Sequence, residues 1–486
     1  MSERRVLFHN DARHSYIYYY DPPMRLEEAW KPVDEIVGTG VDTLIYGLGA
    51  GPTMFHDTDV GERWGTHIEK FREIAGWRAY ENLKSLRNQG FDPLNILIDR
   101  AQDKGIEFFV SLRMSHPADP SEPDDMFTWT FRNEHPEWCL KGPGKFAFDW
   151  TYPEVRAERF ALIEETVNKY DIDGFEVDWT FWPHYFEDDA VQEKAQILTR
   201  FMVEARKTAD LASESKGKKI LIGARVLPTL KGNTAAGIDV TTWIKTGLVD
   251  FVIPTIYEDM QLDSDFPFEW LIELGRSTDC RVYPSLQTHA LPDQGGHANL
   301  KQYRAGAAAY WAKGADGIHL PWFKWPHGAE ERAILSEIRD PNVLAHQPKH
   351  YFSKPSSEYA ASYGYDATLP MSLALGTGVK TATIFIADDF DGALSTLRLI
   401  TADTTSLDEM TVTINDVALD QETVWRRAIG YLGEILDYRL KPGLLITGLN
   451  TVGVEILSRP HNLGTESPLL NGIEVIIDYP KPTAQM

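Results

Sequence analysis

The chain has 486 residues, which fits two or three domains, and its 43% hydrophobic and 25% charged residues describe a globular protein with ample core. A formal net charge of −24 with no basic stripe excludes a nucleic-acid partner and argues against an anionic membrane surface. No run of 18 apolar residues spans a bilayer, and the only two cysteines, Cys139 and Cys280, make no disulfide framework and read as free thiols.

The N-terminus passes straight into a strand at residues 6–9, with no signal-peptide apolar region. The chain as it stands therefore reads as cytoplasmic, or as secreted or periplasmic if a leader has been removed. Seven further short apolar strands follow at 43–47, 107–113, 174–179, 220–226, 251–257, 282–287 and 317–321. Amphipathic stretches separate them. The clearest is 153–169, with Pro153 in the favoured first turn and Val155, Phe160, Leu162, Ile163 and Val167 on one face. A second runs over 191–211. Strand–helix alternation without hairpin signals means parallel β/α units, and at this length a closed (β/α)₈ TIM barrel over 1–341 is the expected architecture. Two connections, 48–74 and 115–150, are long, follow strands, and are expected to wall a pocket on the catalytic face.

From about residue 342 the helical periodicity fades. Alternating segments at 381–386, 395–400, 409–414, 453–457 and 473–477, separated by turns such as Asn415-Asp416 and Lys441-Pro442-Gly443, predict a C-terminal antiparallel β-sandwich over 342–486. Such a module either binds sugar or supports the barrel.

The strand ends carry the chemistry. In residues 171–186 an apolar strand runs into Glu176, Asp178 and Thr180 and then into Trp179, Trp182 and Tyr185. Side chains alternate along a strand, so Glu176, Asp178 and Thr180 share a face, with the two acids roughly 6–7 Å apart. An unpaired charge there costs several kcal/mol if simply buried, so position 178 is expected to open into a tryptophan-walled pocket. Other strand ends supply Asp11, Arg113, His116, Arg225, Tyr257, Glu258, His319, Trp322 and Lys324. Acids beside aromatic platforms are what glycoside hydrolysis needs: one carboxyl donates a proton to the leaving oxygen, and the other attacks or activates water.

On that reading Asp178 is the nucleophile or base, kept ionised by Arg113 or Arg225 on the flanking strands, and Glu258 is the acid. Glu176, Glu258 and Asp259 are the candidates for the second carboxyl. Glu176 alternatively holds Asp178 in place or pairs with an arginine. Arg113, His116, Trp179, Trp182, Arg225, Tyr257, His319, Trp322, Lys324 and Asp11 are the candidate substrate contacts. His116, His289 and His319 show no metal-ligand spacing, so neither metal nor cofactor is expected. An oligosaccharide is the expected partner, and no signal for oligomeric state is present.

The order His135-Pro-Glu-Trp138, then Asp149-x-x-x-Pro-Glu-Val-Arg156, then Tyr170-Asp-x-Asp-Gly-x-x-x-Asp178, with Arg113-Met114 before it, resembles the family-10-like hydrolases of unknown specificity, a group of glycoside-hydrolase-like TIM barrels. That resemblance implies a catalytic role for Asp178. The fourth strand also resembles the Asp-Gly-x-Asp-x-Asp-x-Glu motif of the family-18 chitinases, as do Ile256-Tyr257-Glu258 and Trp322. Position 180, where that family carries its catalytic glutamate, is threonine here, which argues against the chitinase mechanism. A uronate lyase or dehydratase using Tyr257, His116 or His319 as base, and a non-catalytic sugar-binding barrel, are the alternatives.

Overall fold

The computed structural model describes residues 4–480 apart from 13, 50, 120, 143, 188–190, 258–259, 290–295, 354–356, 430–432 and 464–467. The chain forms two compact units. One comprises Met1–Glu258, Phe268–Ser285 and Ala315–His327, and the other Asp259–Pro267, Leu286–Gly314 and Gly328–Met486.

The first unit is a parallel barrel of β1 (Arg5–Asn10), β2 (Thr43–Gly47), β3 (Glu107–Arg113), β4 (Gly174–Asp178), β5 (Leu221–Val226), β6 (Phe251–Pro254), β7 (Arg281–Val282) and β8 (Gly317–Leu320). The strands pair in the order β7-β6-β5-β4-β3-β2-β1-β8, and a parallel bridge between Ser285 and His319 links the two ends. β6 and β7 end well short of the predicted segments, at Pro254 and before Pro284, which offer no N–H to the ladder. The helix expected over 191–211 is in two pieces, Val191–Lys194 and Gln196–Lys216. Pro153 does open the helix Pro153–Lys169.

Period-two alternation sorts the barrel interior into layers. The lowest holds Leu7, Ile45, Phe109, Phe251, Ile253 and Tyr283, all buried. Glycines make room for these rings: a Cβ on Gly223 would lie 2.0 Å from Phe251, and one on Gly174 would lie 2.8 Å from Phe109. Two residues beyond Leu7, Phe109, Gly174, Tyr283 and Gly317 the interior becomes polar, with His9, Ser111, Glu176, Ser285 and His319 all buried. Register sets the next positions, since Asp178 pairs with Arg113 on β3 and with Arg225 on β5.

The second unit is an antiparallel sandwich. One sheet runs β10 (Met371–Ser372), β18 (Leu469–Asp478), β12 (Leu394–Ala402), β16 (Gly433–Arg439) and β15 (Trp425–Ile429), with β9 (Lys349–Phe352) also on β18. The other runs β11 (Lys380–Ile386), β17 (Gly448–Ser458), β13 (Glu409–Ile414) and β14 (Val417–Ala418). Their facing side chains, among them Ile384, Leu397, Val412, Leu436, Val454 and Val475, form its core. Five of these strands overlap the predicted segments. The short pieces β9, β10 and β14 and the hairpin β15–β16 go beyond them.

Candidate active site

The polar interior of the barrel centres on Arg225, 1% exposed. Its Nε and Nη2 donate to Glu176 Oε1 and Oε2 at 2.5 and 2.9 Å, and Nη2 lies 3.1 Å from His9 Nδ1. Its Nη1 stands 3.5 Å from Asp178 Oδ2. One guanidinium therefore sits between two carboxyl groups that are two residues apart on one strand face. Burial opposes the charge on Arg225, yet Glu176 and Asp178 outweigh it and its pKa rises. Burial pushes the Glu176 carboxyl up against the opposing effect of Arg225, and Asp178 adds to the rise. Glu176, 0% exposed, is thus the bidentate ion-pair partner of Arg225. The same bond commits Arg225, a candidate substrate contact, to the barrel interior.

Asp178 ends β4 and is 1% exposed, so the opening expected at this position is closed in this structure. Its Oδ1 accepts from the Thr180 amide at 2.9 Å, the Thr180 hydroxyl at 2.8 Å and the Phe181 amide at 3.3 Å. Its Oδ2 is buried without a hydrogen-bond partner among the described residues.

Arg113 has a different environment. It is half-buried, donates from Nη2 to the Tyr257 hydroxyl at 3.0 Å, and lies 4.3, 5.3 and 5.5 Å from the ring centres of Phe181, Tyr257 and Trp322. Cation–π attraction to three rings holds this guanidinium. His116 stacks between Phe127 and Phe181, at 5.8 and 5.2 Å. Arg113, His116, Phe181 and Tyr257 line a cavity of about 370 Å³ together with Asp119, Glu122 and Asp125 of the loop after β3. Trp322, against Tyr257 at 5.4 Å, and Trp182 both take positive φ, 47° and 52°, a conformation that costs a bulky side chain energy and concentrates at functional sites.

The remaining candidates scatter. Trp179 is a correction: it alternates to the outer face of β4, is 0% exposed, and packs among Trp150, Tyr185, Phe201 and Trp243, so it is core and no pocket wall. His319, fully buried, faces Ser285 Oγ through Nδ1 at 2.8 Å. Burial, with Arg225 nearby, holds its pKa well below the ordinary histidine value, so the imidazole is neutral. Trp182 is half-buried beside His184, Lys324 is half-buried after β8, and Asp11 is buried at the end of β1. Glu258 and Asp259 lie outside the described residues. Among the described residues no cluster of His, Cys, Asp or Glu is placed to hold a metal ion, and no helix is long and apolar enough to cross a membrane. Cys139 and Cys280 are free, and burial pushes the Cys280 thiol up to about 12.

Sequence reasoning missed Phe181, His9, Ser111, Ser285 and Glu35. His9, Ser111 and Ser285 were within reach of strict alternation, because they follow inward Leu7, Phe109 and Tyr283 by two residues, whereas Phe181 lies beyond β4 on the opposite parity to Asp178 and was not. Glu35 carried no such signal. It is buried between Asn10 Nδ2 at 3.4 Å and Trp325 Nε1 at 3.2 Å, and burial pushes its carboxyl up to about 7.

Residues 71–209 match the family model described as Glycosyl hydrolase-like 10, a stretch that contains Arg113, His116, Glu176, Asp178 and Trp182. Among curated proteins, Glycosyl hydrolase DigH of Escherichia coli K12 is 20% identical over 255 residues, 43% of this chain and 57% of that protein. Glycosyl hydrolase YngK of Bacillus subtilis 168 is 22% identical over 217 residues, 37% of this chain and 42% of that protein. The matched stretch thus spans about half the length of these relatives. Among solved structures, α-L-fucosidase isoenzyme 2 from Paenibacillus thiaminolyticus aligns with 70% of this chain and 49% of its own, at 13% identity and a TM-score of 0.41. The resemblance read from the motifs around Asp178 is to this glycosyl-hydrolase-like group.

Proposed function

We propose that this protein is a glycosidase that hydrolyses O-glycosyl bonds of oligosaccharides or polysaccharide fragments at the carboxyl-terminal face of the barrel. The observation that carries the reading is the state of Asp178. It ends β4 inside the stretch that matches a glycosyl-hydrolase-like family, with one oxygen held by three donors and the other beside Arg225. A carboxylate that ends a barrel strand beside a cation suits a nucleophile or base. Glu258, four residues beyond the end of β6, is assigned as the acid. Glu176 is assigned to holding Arg225, and Arg113 with Tyr257, Trp322 and His116 to contacting the sugar.

The test is hydrolysis of a panel of 4-nitrophenyl α- and β-glycosides of glucose, galactose, glucosamine and N-acetylglucosamine, together with oligosaccharides read by product mass. New reducing ends are expected, and Asp178→Asn is expected to lose most of the rate. Undiminished turnover in that variant would remove Asp178 from the chemistry.

One observation favours a second reading. The Arg113 guanidinium on the Tyr257 hydroxyl joins an anion-neutralising group to a phenol, the pair that β-elimination from a uronate needs. Elimination leaves an unsaturated product that absorbs in the short-wavelength ultraviolet, which hydrolysis does not.

A further inference from the structure

We propose that Thr180 is the positioning residue for Asp178, fixing its carboxylate so that Oδ2 alone keeps lone pairs for a reacting partner. This inference rests on the reading of Asp178 as the nucleophile or base.

The arrangement around the carboxylate is one-sided. Thr180 supplies two of the three donors on Oδ1, its backbone N–H at 2.9 Å and its hydroxyl at 2.8 Å, and the Phe181 N–H at 3.3 Å is the third. Oδ2 has no hydrogen bond among the described residues, and Arg225 Nη1 stands 3.5 Å away. Thr180 is itself 1% exposed, so water does not compete for its hydroxyl.

A terminal carboxylate rotates broadly about its last torsion when nothing holds it. Three donors converging on one oxygen stop that rotation. Two of them belong to the backbone of the turn and survive any substitution at position 180. The hydroxyl is the one donor a side-chain change removes, and threonine's β-branch holds it in few rotamers. Valine keeps the branched shape and loses the donor, whereas serine keeps the donor and loses a methyl group. Among the described residues the Thr180 hydroxyl bonds to the Asp178 carboxylate, so its effect belongs in turnover and not in substrate affinity.

Wild type, Thr180→Val, Thr180→Ser and Asp178→Asn are compared as full chains on the 4-nitrophenyl glycoside that the wild type cleaves fastest. Thr180→Val is expected to lower kcat about 10- to 100-fold, as loss of a hydrogen bond to a charged group that orients a reacting atom would do, with KM within about twofold. Thr180→Ser is expected to recover kcat to within about threefold of wild type. Wild-type kcat in Thr180→Val, a loss confined to KM, or a serine variant as impaired as the valine variant overturns the proposal.

Crystal structures of the two variants provide a readout independent of turnover. The Asp178 carboxylate is expected to rotate off its wild-type position in Thr180→Val and to keep it in Thr180→Ser. An unmoved carboxylate in the valine variant overturns the proposal even if no glycoside is cleaved. Full activity in Asp178→Asn defeats instead the reading on which the proposal rests.

Discussion

Replacing Arg225 with methionine, similar in length and uncharged, probes the buried polar layer most directly. In the wild type this guanidinium makes two hydrogen bonds to Glu176 and stands 3.5 Å from Asp178, and all three residues are at most 1% exposed. Its loss leaves two carboxyl groups inside the barrel without the cation between them. Removing one partner of a buried pair costs ~3–5 kcal/mol, because the remaining charge keeps its desolvation penalty and loses the Coulombic return. At about 2–4 °C of Tm per kcal/mol, the unfolding midpoint should fall by roughly 6–20 °C near pH 8.

The cost should also depend on pH. Burial already raises the Glu176 carboxyl, and an acid whose folded pKa is raised contributes stability below its unfolded pKa that is lost as pH rises through the folded one. Without Arg225 that rise grows, so the penalty should shrink toward about pH 5, where protonation removes one of the two charges. Circular dichroism melts of wild type, Arg225→Met, Glu176→Leu and the double variant at both pH values read this out. The double variant should regain at least about half of the loss, since Asp178 alone, and no longer Glu176 as well, is then left without the cation. An Arg225→Met protein as stable as wild type at pH 8 would refute the buried clamp, and a double variant no better than either single one would refute the pairing.

Two further outcomes follow from the barrel unit. Gly223→Ala puts a Cβ 2.0 Å from the Phe251 ring, which is itself packed on Phe109 and Tyr283 at 5.4 and 5.7 Å, so overpacking should lower stability by ~1–3 kcal/mol. An unchanged melting point would mean that the floor yields. Burial raises the Glu35 carboxyl from 4.5 to about 7, a preference for the neutral form worth ~3 kcal/mol. That stability is full below the ordinary glutamate pKa and lost as pH rises through about 7, so Glu35→Gln should narrow the difference in Tm between pH 5 and pH 8. A difference as large as in wild type would show that Glu35 is not the group responsible.

The order of strands and helices, the polar ends of the strands and the shared face of Glu176, Asp178 and Thr180 were determined by the sequence itself. These depend only on periods of two and 3.6 and on where apolar runs stop. Tertiary structure decided which cation each acid meets. Arg113 and Arg225 flank Asp178 in equivalent register, and a linear reading cannot separate them. In the fold, Arg225 folds back onto Glu176, whereas Arg113 is drawn to the rings of Phe181, Tyr257 and Trp322. Trp179 teaches the same lesson in reverse. Its place next to Asp178 in sequence put it in the pocket by proximity, whereas alternation sends it outward to a core built by Trp150, Phe201 and Trp243 from distant segments. Local periodicity assigns a side chain to a face, and only the packing of remote strands determines whether that face meets a charge, a ring or open space.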